Sequence, residues 1–391
     1  MNSGRIENSS YARKMPQPIR HPDDAQLDEL CTRLARLAGP LDESETWPDE
    51  QLGLCREFGV YQWFMPREWG GQAWSDLDIL RGYLKLSAAC LTTTFILTQR
   101  TGACQRIVLA ENETAKSRWL PGLTSGELFA TVGISHLTTS RRHLAKPVLR
   151  ATRGRVSPRR GEDSHGNCES RRDSSAWVLD GYSPWVTGGD HADVIVTGAT
   201  LDDGRQILVA LPTDLPGVEV PPPPRLVGLS ASHTGEVRCH GVDLPHDCLL
   251  AGPVENVMQH GKGAGTGGLQ TSTLAIGLTS AAVTYLEMES RQRTEFSEAA
   301  NSFRQEHRQL EADLLALAVG NTVCSNEDLR TRANSLVLRS TQAALAAAKG
   351  TGYVVGHPAG RWCRESLFFL VWSCPQPVIA ANLCELASLG E

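Results

Sequence analysis

Four stretches carry residue types that can do chemistry. CHGVDLPHDC brings Cys239, His240, His246 and Cys248 close together, the ligand types of a zinc-class ion. Cys239 and His240 are adjacent, however, and adjacent residues of a strand face opposite ways, while Val-Asp-Leu-Pro has the look of a strand exit. The stretch reads as a strand and its loop, and no metal centre is expected. GKGAGTGG, Gly261 to Gly268, resembles a phosphate cradle, but PVENVMQH before it supplies no strand for a βαβ unit, so it reads as a lead into a helix. In SPWVTGGDHADVIVTG, Trp185 and Thr187 are two apart and share one face of a strand. A large aromatic beside a hydroxyl suits a ligand-facing strand or a strand with a core tryptophan. The fourth stretch, SLFFLVWSCPQPV from Ser366 to Val378, is an apolar run stopped by Ser-Cys-Pro, a buried helix end opening into a loop without a carboxylate.

Composition bounds what these stretches serve. The chain has 391 residues, 41% hydrophobic and 21% charged, and so reads as an ordinary globular protein of more than one domain. A net charge of -6 argues against nucleic acid or an anionic membrane surface as the main partner. The 11 cysteines are scattered, with no CxxC pair, as expected of reduced thiols in a cytoplasmic protein. No apolar run approaches the roughly 18 residues of a membrane span. MNSGRIENSSYARKMPQPIRHP has no apolar core of a secretory signal, so residues 1–22 are expected to form a disordered arm.

The elements follow from periodicity. Leu27, Leu30, Leu34 and Leu37 recur at helical spacing, a second helix runs from about Pro48 to Gly59, and apolar segments continue from Leu77 to Val108. MPREWGG, Met65 to Gly71, is the turn between them. From Phe129 the period becomes that of strands: WVLDG, SPWVT, ADVIVTGA, QILVALP and TGEVRCHGVDLP. After Gly252 helical stripes return at Leu274, Leu278, Ala281, Tyr285 and Met288, at Leu310, Leu314 and Leu317, and at Leu329, Ala333 and Leu336. Ser325 with Asp328 starts the third of these as a capping pair, and Gly350 stands where its C-cap would be. The expected order is an α-helical domain at 23–128, a β domain at 129–252 and a helical bundle at 253–391. An Arg-, Ser- and Gly-rich stretch too polar to pack is expected to form a flexible insertion at about 141–175.

In this order of domains and motifs the chain resembles the acyl-CoA dehydrogenase superfamily. MPREWGG, WLPGLTSGELFATVGIS, GYSPWVTGGDHADVIV, VGLSASHTGEVRCHGVDLP, LAIGLTSAAVTYLEMESRQR and KGTGYVVGHPAGRWCRE each resemble a segment of that family, in sequence. The resemblance implies an α+β fold of the acyl-CoA dehydrogenase type: N-terminal helices, a central β-barrel or sandwich, and a C-terminal four-helix bundle. It implies FAD as cofactor, an acyl-CoA or related small-molecule substrate, electron transfer to an electron-transferring flavoprotein, and a homodimer or homotetramer.

By position the resemblance places Ser135 and Ser140 at the flavin or thioester, Trp185 against the flavin ring and Thr187 at its reactive nitrogen. Arg293 would reach the pyrophosphate, and Lys349, Gly350, Thr351 and Gly352 would lie near the cofactor of a neighbouring subunit. The flavin loop of the family appears here as SHLTTSR, without its acids. Counting from Arg364 and Glu365, the family's tyrosine falls on Trp372 and its proton-abstracting glutamate on Ser373; an alternative base position falls near Gly267. Neither residue is a base at neutral pH. Cys374 is a weak substitute, since an unperturbed thiol of pKa about 8.5 is mostly protonated there. Glu365 is expected to pair with Arg364 or Arg361. The resemblance thus implies a dehydrogenase of CH–CH bonds lacking its usual base, with a flavin-dependent hydroxylase or a degenerate assembly subunit as alternatives.

Overall fold

The computed structural model describes residues 16–138, 146–154, 175–259 and 268–388. Five helices open the chain: α1 (Ala25–Ser44), α2 (Asp49–Glu57), α3 (Asp76–Ala89), α4 (Leu91–Leu109) and α5 (Glu113–Ser125). Leu27, Leu30 and Leu34 are buried on α1 as the spacing predicts, but the stripe continues through Ala38 and Leu41, with Leu37 only half-buried. Ser75 caps α3 by accepting from the Asp78 amide at 3.2 Å, and Asn112 caps α5 through the Ala115 amide at 3.2 Å. The order expected over residues 1–22 changes at residue 16. Ile19 is fully buried, its N–H donates to the Phe58 carbonyl at 2.8 Å, and the Arg20 and His21 amides donate to Asp24 Oδ2. One apolar side chain with a backbone partner suffices to pin the end of that arm; residues 1–15 lie outside the described residues.

The middle of the chain forms an eight-stranded mixed sheet. Its strands are β1 (Ala130–Gly133), followed by the single turn α6 (Ser135–Thr138), then β2 (Leu149–Arg153), β3 (Ser175–Thr187), β4 (Val194–Thr200), β5 (Gln206–Pro212), β6 (Val218–Glu219), β7 (Thr234–Pro245) and β8 (Leu249–Val254). The order is β6-β7-β3-β2-β4-β5-β8, with β1 pairing parallel to β4. Ile207 and Val209 of β5 share one core with Val242 and Leu244 of β7, although the two strands are far apart in that order. The sheet is therefore folded over on itself. Leu208 and Ala210 of β5 face the opposite way, into a core shared with α4 and α5. Burial on both faces is why QILVALP is apolar throughout rather than alternating.

β2 falls inside the span 141–175 expected to be a flexible insertion. LRATR pairs antiparallel with β3 from Leu149↔Gly181 to Arg153↔Trp177. It escapes detection because only Leu149 and Ala151 face inward, too few positions to set a period. The Arg-rich run at 155–174 lies outside the described residues.

Five helices close the chain: α7 (Leu269–Ser290), α8 (Ser297–Ala318), α9 (Asn326–Gly352), α10 (Pro358–Ser366) and α11 (Gln376–Leu386). Leu80, Leu84, Leu91 and Phe95 from α3 and α4 join their core, so the two helical domains are fused along one apolar seam. Ser325 caps α9 by accepting from the Asp328 amide at 3.0 Å. The break near its end lies at Lys349, with φ 56° and ψ −149°, one residue before the expected cap at Gly350. The Thr351 hydroxyl donates to the Ala348 carbonyl at 2.7 Å and so satisfies an acceptor beside the break.

The double glycine of MPREWGG has a specific geometric cause. Gly70 has φ +80°, and a Cβ on Gly71 would run into the carbonyl and side chain of Met65. Gly71→Ala is therefore expected to destabilise the protein by about 1–3 kcal/mol, the usual cost of overpacking. Urea unfolding of the purified variant measures this; unchanged stability would mean that the turn yields freely.

Candidate functional site

A cavity of about 720 Å³ opens where the N-terminal helices, the sheet and the bundle meet. One wall comes from the sheet. Trp185 and Thr187 both line it, as a two-residue spacing on β3 requires, and Ser135 joins them from the first turn after β1. The β3–β7 register sets Thr187 opposite Thr234, and their hydroxyls lie 2.9 Å apart. Thr234 continues to Ser232 Oγ at 2.8 Å, which makes a three-hydroxyl ladder along the wall. Trp185 is 49% exposed, so it is a wall residue and not a core tryptophan. Ser135 Oγ is buried without a partner among the described residues, an arrangement that costs free energy unless a ligand satisfies it.

The opposite wall carries Phe368, Trp372 and Ser373. Phe368 and Trp372 stack at 4.9 Å, and Phe95 of α4 meets their rings edge-on at 4.7 and 5.0 Å. The segment is held from behind. Arg330 donates to the carbonyls of Phe369 at 3.3 Å and Trp372 at 3.0 Å, and Asn334 donates to Phe369 O at 3.0 Å. Burial lowers the Arg330 guanidinium to a pKa of about 10, and it pairs with no carboxylate among the described residues. Ser373 itself has φ 46°, in the left-handed region.

The third wall is α4, where Gln99, Gly102 and Arg106 follow at spacings of three and four with Gln105 beside them. The sequence reading missed this polar stripe, although its spacing within the apolar run TFILTQRTGACQRIVL was a usable signal. Arg106 donates to the Gly102 carbonyl at 2.7 Å, its Nε has no partner, and burial lowers its pKa to about 10. Asp76, at the exposed start of α3, is the single carboxylate on the cavity wall among the described residues.

Other expected site residues lie elsewhere. Ser140 and Gly267 fall outside the described residues. Arg293 is committed within the bundle, to Glu289 and to the Ala347 carbonyl, with its guanidinium 4.4 Å from the Phe296 ring. Gly350, Thr351 and Gly352 do not line the cavity; they precede Tyr353, Val354 and Val355, which are 86%, 63% and 76% exposed. Cys374 is buried behind Ser373, and desolvation pushes its thiol further up from its ordinary value. In the cysteine-histidine stretch, His240 pairs with Glu219 at 3.0 Å while Cys239 is buried, so its groups do not converge. His136 follows Ser135 in the turn after β1. It is buried, bonded through Nε2 to the Gly198 carbonyl at 2.7 Å, and held neutral by desolvation.

The chain resembles known proteins along most of its length. The family model for the acyl-CoA dehydrogenase N-terminal domain matches residues 26–127. Among curated relatives, a probable acyl-CoA dehydrogenase YngJ of Bacillus subtilis is 24% identical over 279 residues, 69% of this chain and 68% of that protein. Matches to short-chain specific acyl-CoA dehydrogenases of mouse, rat and cattle span 55–65% of those proteins. Among solved structures, butyryl-CoA dehydrogenase from Megasphaera elsdenii superposes with a TM-score of 0.75 at 16% identity, covering 93% of this chain and 96% of that one. Dibenzothiophene monooxygenase TdsC from Paenibacillus sp. A11-2 superposes with a TM-score of 0.72 at 16% identity, covering 94% and 98%.

Glu365 gives a pH-dependent test of the pairing behind the cavity. It is buried, 3.5 Å from Arg361 Nε, and desolvation raises its carboxyl from 4.5 to about 7. Between those values the unfolded chain has released the proton and the folded chain still holds it, so this group's contribution falls as pH rises through the window. Glu365→Gln should therefore gain stability relative to the parent from pH 5 to pH 8 in thermal melts. A relative loss over that range would mean that the Arg361 ion pair outweighs burial.

Proposed function

This chain belongs to the acyl-CoA dehydrogenase superfamily, and from that premise we propose that it is an FAD-dependent oxidoreductase acting on the α,β CH–CH bond of an acyl thioester. The observation that carries the reading is the sheet wall of the cavity. An orphaned buried hydroxyl at Ser135, an open indole at Trp185 and the ladder Thr187–Thr234–Ser232 together fit a flat ligand with a polar edge. Bound there, FAD supplies hydride acceptance, chemistry that no side chain provides. Ser135 Oγ would bond the polar edge. The Thr187 hydroxyl, which bonds Thr234, would bond a ring nitrogen. Phe95, Phe368 and Trp372 keep water from the apolar side.

The acyl chain would lie between that wall and the aromatic cluster. Ser373 takes up no proton at neutral pH, so a dehydrogenase working here lacks the 10²–10⁴-fold typical of a positioned base unless Asp76 supplies it. That vacancy favours a second reading: oxygenation of a substrate by reduced flavin, which requires no proton removal α to a carbonyl. We place the protein in the cytoplasm as a homodimer or homotetramer, with an electron-transferring flavoprotein as oxidant in the first reading. Exposed Tyr353, Val354 and Val355 beside Gly350 support a neighbouring subunit at that edge.

Anaerobic addition of acyl-CoA thioesters to the flavin-loaded protein tests the first reading, with bleaching of the flavin absorbance as the expected outcome. Thr187→Ala and Ser135→Ala should weaken flavin retention, and Ser373→Glu should speed bleaching by about tenfold or more. A protein that takes up no flavin, measured by equilibrium dialysis with FAD, overturns both enzyme readings. Bleaching absent with thioester, together with substrate oxygenation by reduced flavin in air, selects the second.

A further inference from the structure

Outside the cavity, three polar side chains converge where β3 leaves the sheet. Asp190 and His191 lie in the turn after Thr187, and His233 arrives from the loop that precedes β7. His233 Nδ1 is 2.7 Å from Asp190 Oδ2, His191 Nε2 is 3.5 Å from the same oxygen, and the two imidazole nitrogens are 3.3 Å apart. A proton on His233 Nδ1 can be shared between Asp190 Oδ2 and His191 Nε2, and the third contact, at 3.5 Å, is longer than a hydrogen bond; three ligand-type atoms nevertheless converge on one point.

That convergence also suits a shared cation. Ligands bound at about 2.0–2.1 Å and at tetrahedral or octahedral angles stand about 2.9–3.4 Å from each other, close to the spacings seen here. The geometry points to a divalent metal site formed by Asp190 Oδ2, His191 Nε2 and His233 Nδ1. Two imidazoles and one carboxylate suit Zn²⁺ or a neighbouring first-row ion over Ca²⁺ or Mg²⁺, which prefer oxygen ligands. The three side chains are 28%, 35% and 20% exposed, so an ion reaches them from solvent and keeps water in its remaining positions.

The surroundings hold the ligands in place. Trp47, from the segment between α1 and α2, stacks on the His191 ring at 4.3 Å and 9°, and meets His233 at 5.7 Å. Gly188, at the start of the turn, has φ +62°, and a Cβ there would strike the Trp47 ring, so the indole is seated directly on the turn. His233 lies between Ser232 and Thr234, two members of the hydroxyl ladder on the cavity wall. A bound ion therefore fastens the N-terminal domain, the exit of β3 and the ladder that fixes Thr187. Its role is structural, one step away from the cavity.

The test uses the full chain without a histidine tag, stripped of metal with chelator and titrated with Co²⁺ and Zn²⁺. The expected result is uptake of about one equivalent, with visible cobalt d–d bands and no thiolate charge-transfer band, which separates this site from the cysteines. Zn²⁺ should raise the Tm of the parent but not of His191→Ala or His233→Ala, whose metal affinity should fall by more than about tenfold. Asp190→Asn, a near-isosteric change, should show the same loss where the alanine variants fold poorly. Parent protein that takes up no stoichiometric Co²⁺, or folded histidine variants that bind as the parent does, would overturn the site.

Discussion

Arg330 is buried at the centre of the bundle and donates to two main-chain carbonyls, those of Phe369 and Trp372, on the segment that forms the far wall of the cavity. Hydrogen bonds from a charged donor contribute about 1.5–3 kcal/mol each, but a buried guanidinium without a carboxylate also carries a desolvation cost. The position of Trp372 follows from this balance. Its indole completes the stack on Phe368, and Phe95 seals the pair from α4. Without that anchor the segment from Leu367 to Cys374 has little regular hydrogen bonding to hold it, since only one short 3₁₀ turn, Leu367–Leu370, lies within it.

The sheet wall is positioned by a different device. Thr187 is fixed by its strand register with Thr234, and Ser135 by the turn that follows β1, whose pairing with β4 places Gly133 against Thr197. The Thr197 hydroxyl donates to the Gly133 carbonyl at 2.6 Å and that of Ser183 does so at 3.1 Å, which saturates this acceptor. Ser135 Oγ, two residues further on, is left without a partner among the described residues. The contrast between a saturated backbone and an unsatisfied side chain at the cavity marks this wall as ligand-facing.

Periodicity made the three-part architecture legible, because α1 and α8 bury one stripe each and β4 and β5 are largely apolar, whereas α7 is buried all round over 271–279. What stayed hidden depended on contacts between distant residues. Ile19 reads as one apolar residue in a polar arm, and only the Phe58 carbonyl and the core beside it show why it is fixed. β2 has two inward side chains, and its partner strand lies beyond the Arg-rich run. At the site, Trp185 and Thr187 were legible because their spacing is local. Arg106 was not, because its distinction is burial with a carbonyl for partner, which no local pattern reports. His191 and His233 are 42 positions apart and meet only through the β3–β7 pairing.

Ser373 shows why resemblance and chemistry separate in this chain. Its left-handed backbone costs about 1–2 kcal/mol for a residue with a Cβ, and the bonds from Arg330 to the preceding carbonyls hold the segment in that shape. The conformation therefore belongs to the anchored segment and does not require serine. A carboxylate on Ser373 would enter a wall of three aromatic rings, where desolvation raises an acid toward the range of a working base. In the reading proposed above, that wall would activate an acid at this position, where the chain has a hydroxyl. Apart from Asp76 at the exposed start of α3, the polar side chains that line the cavity among the described residues, such as Arg106, Gln99, Gln105 and the hydroxyl ladder, are suited to binding and orienting a ligand and not to removing a carbon-bound proton.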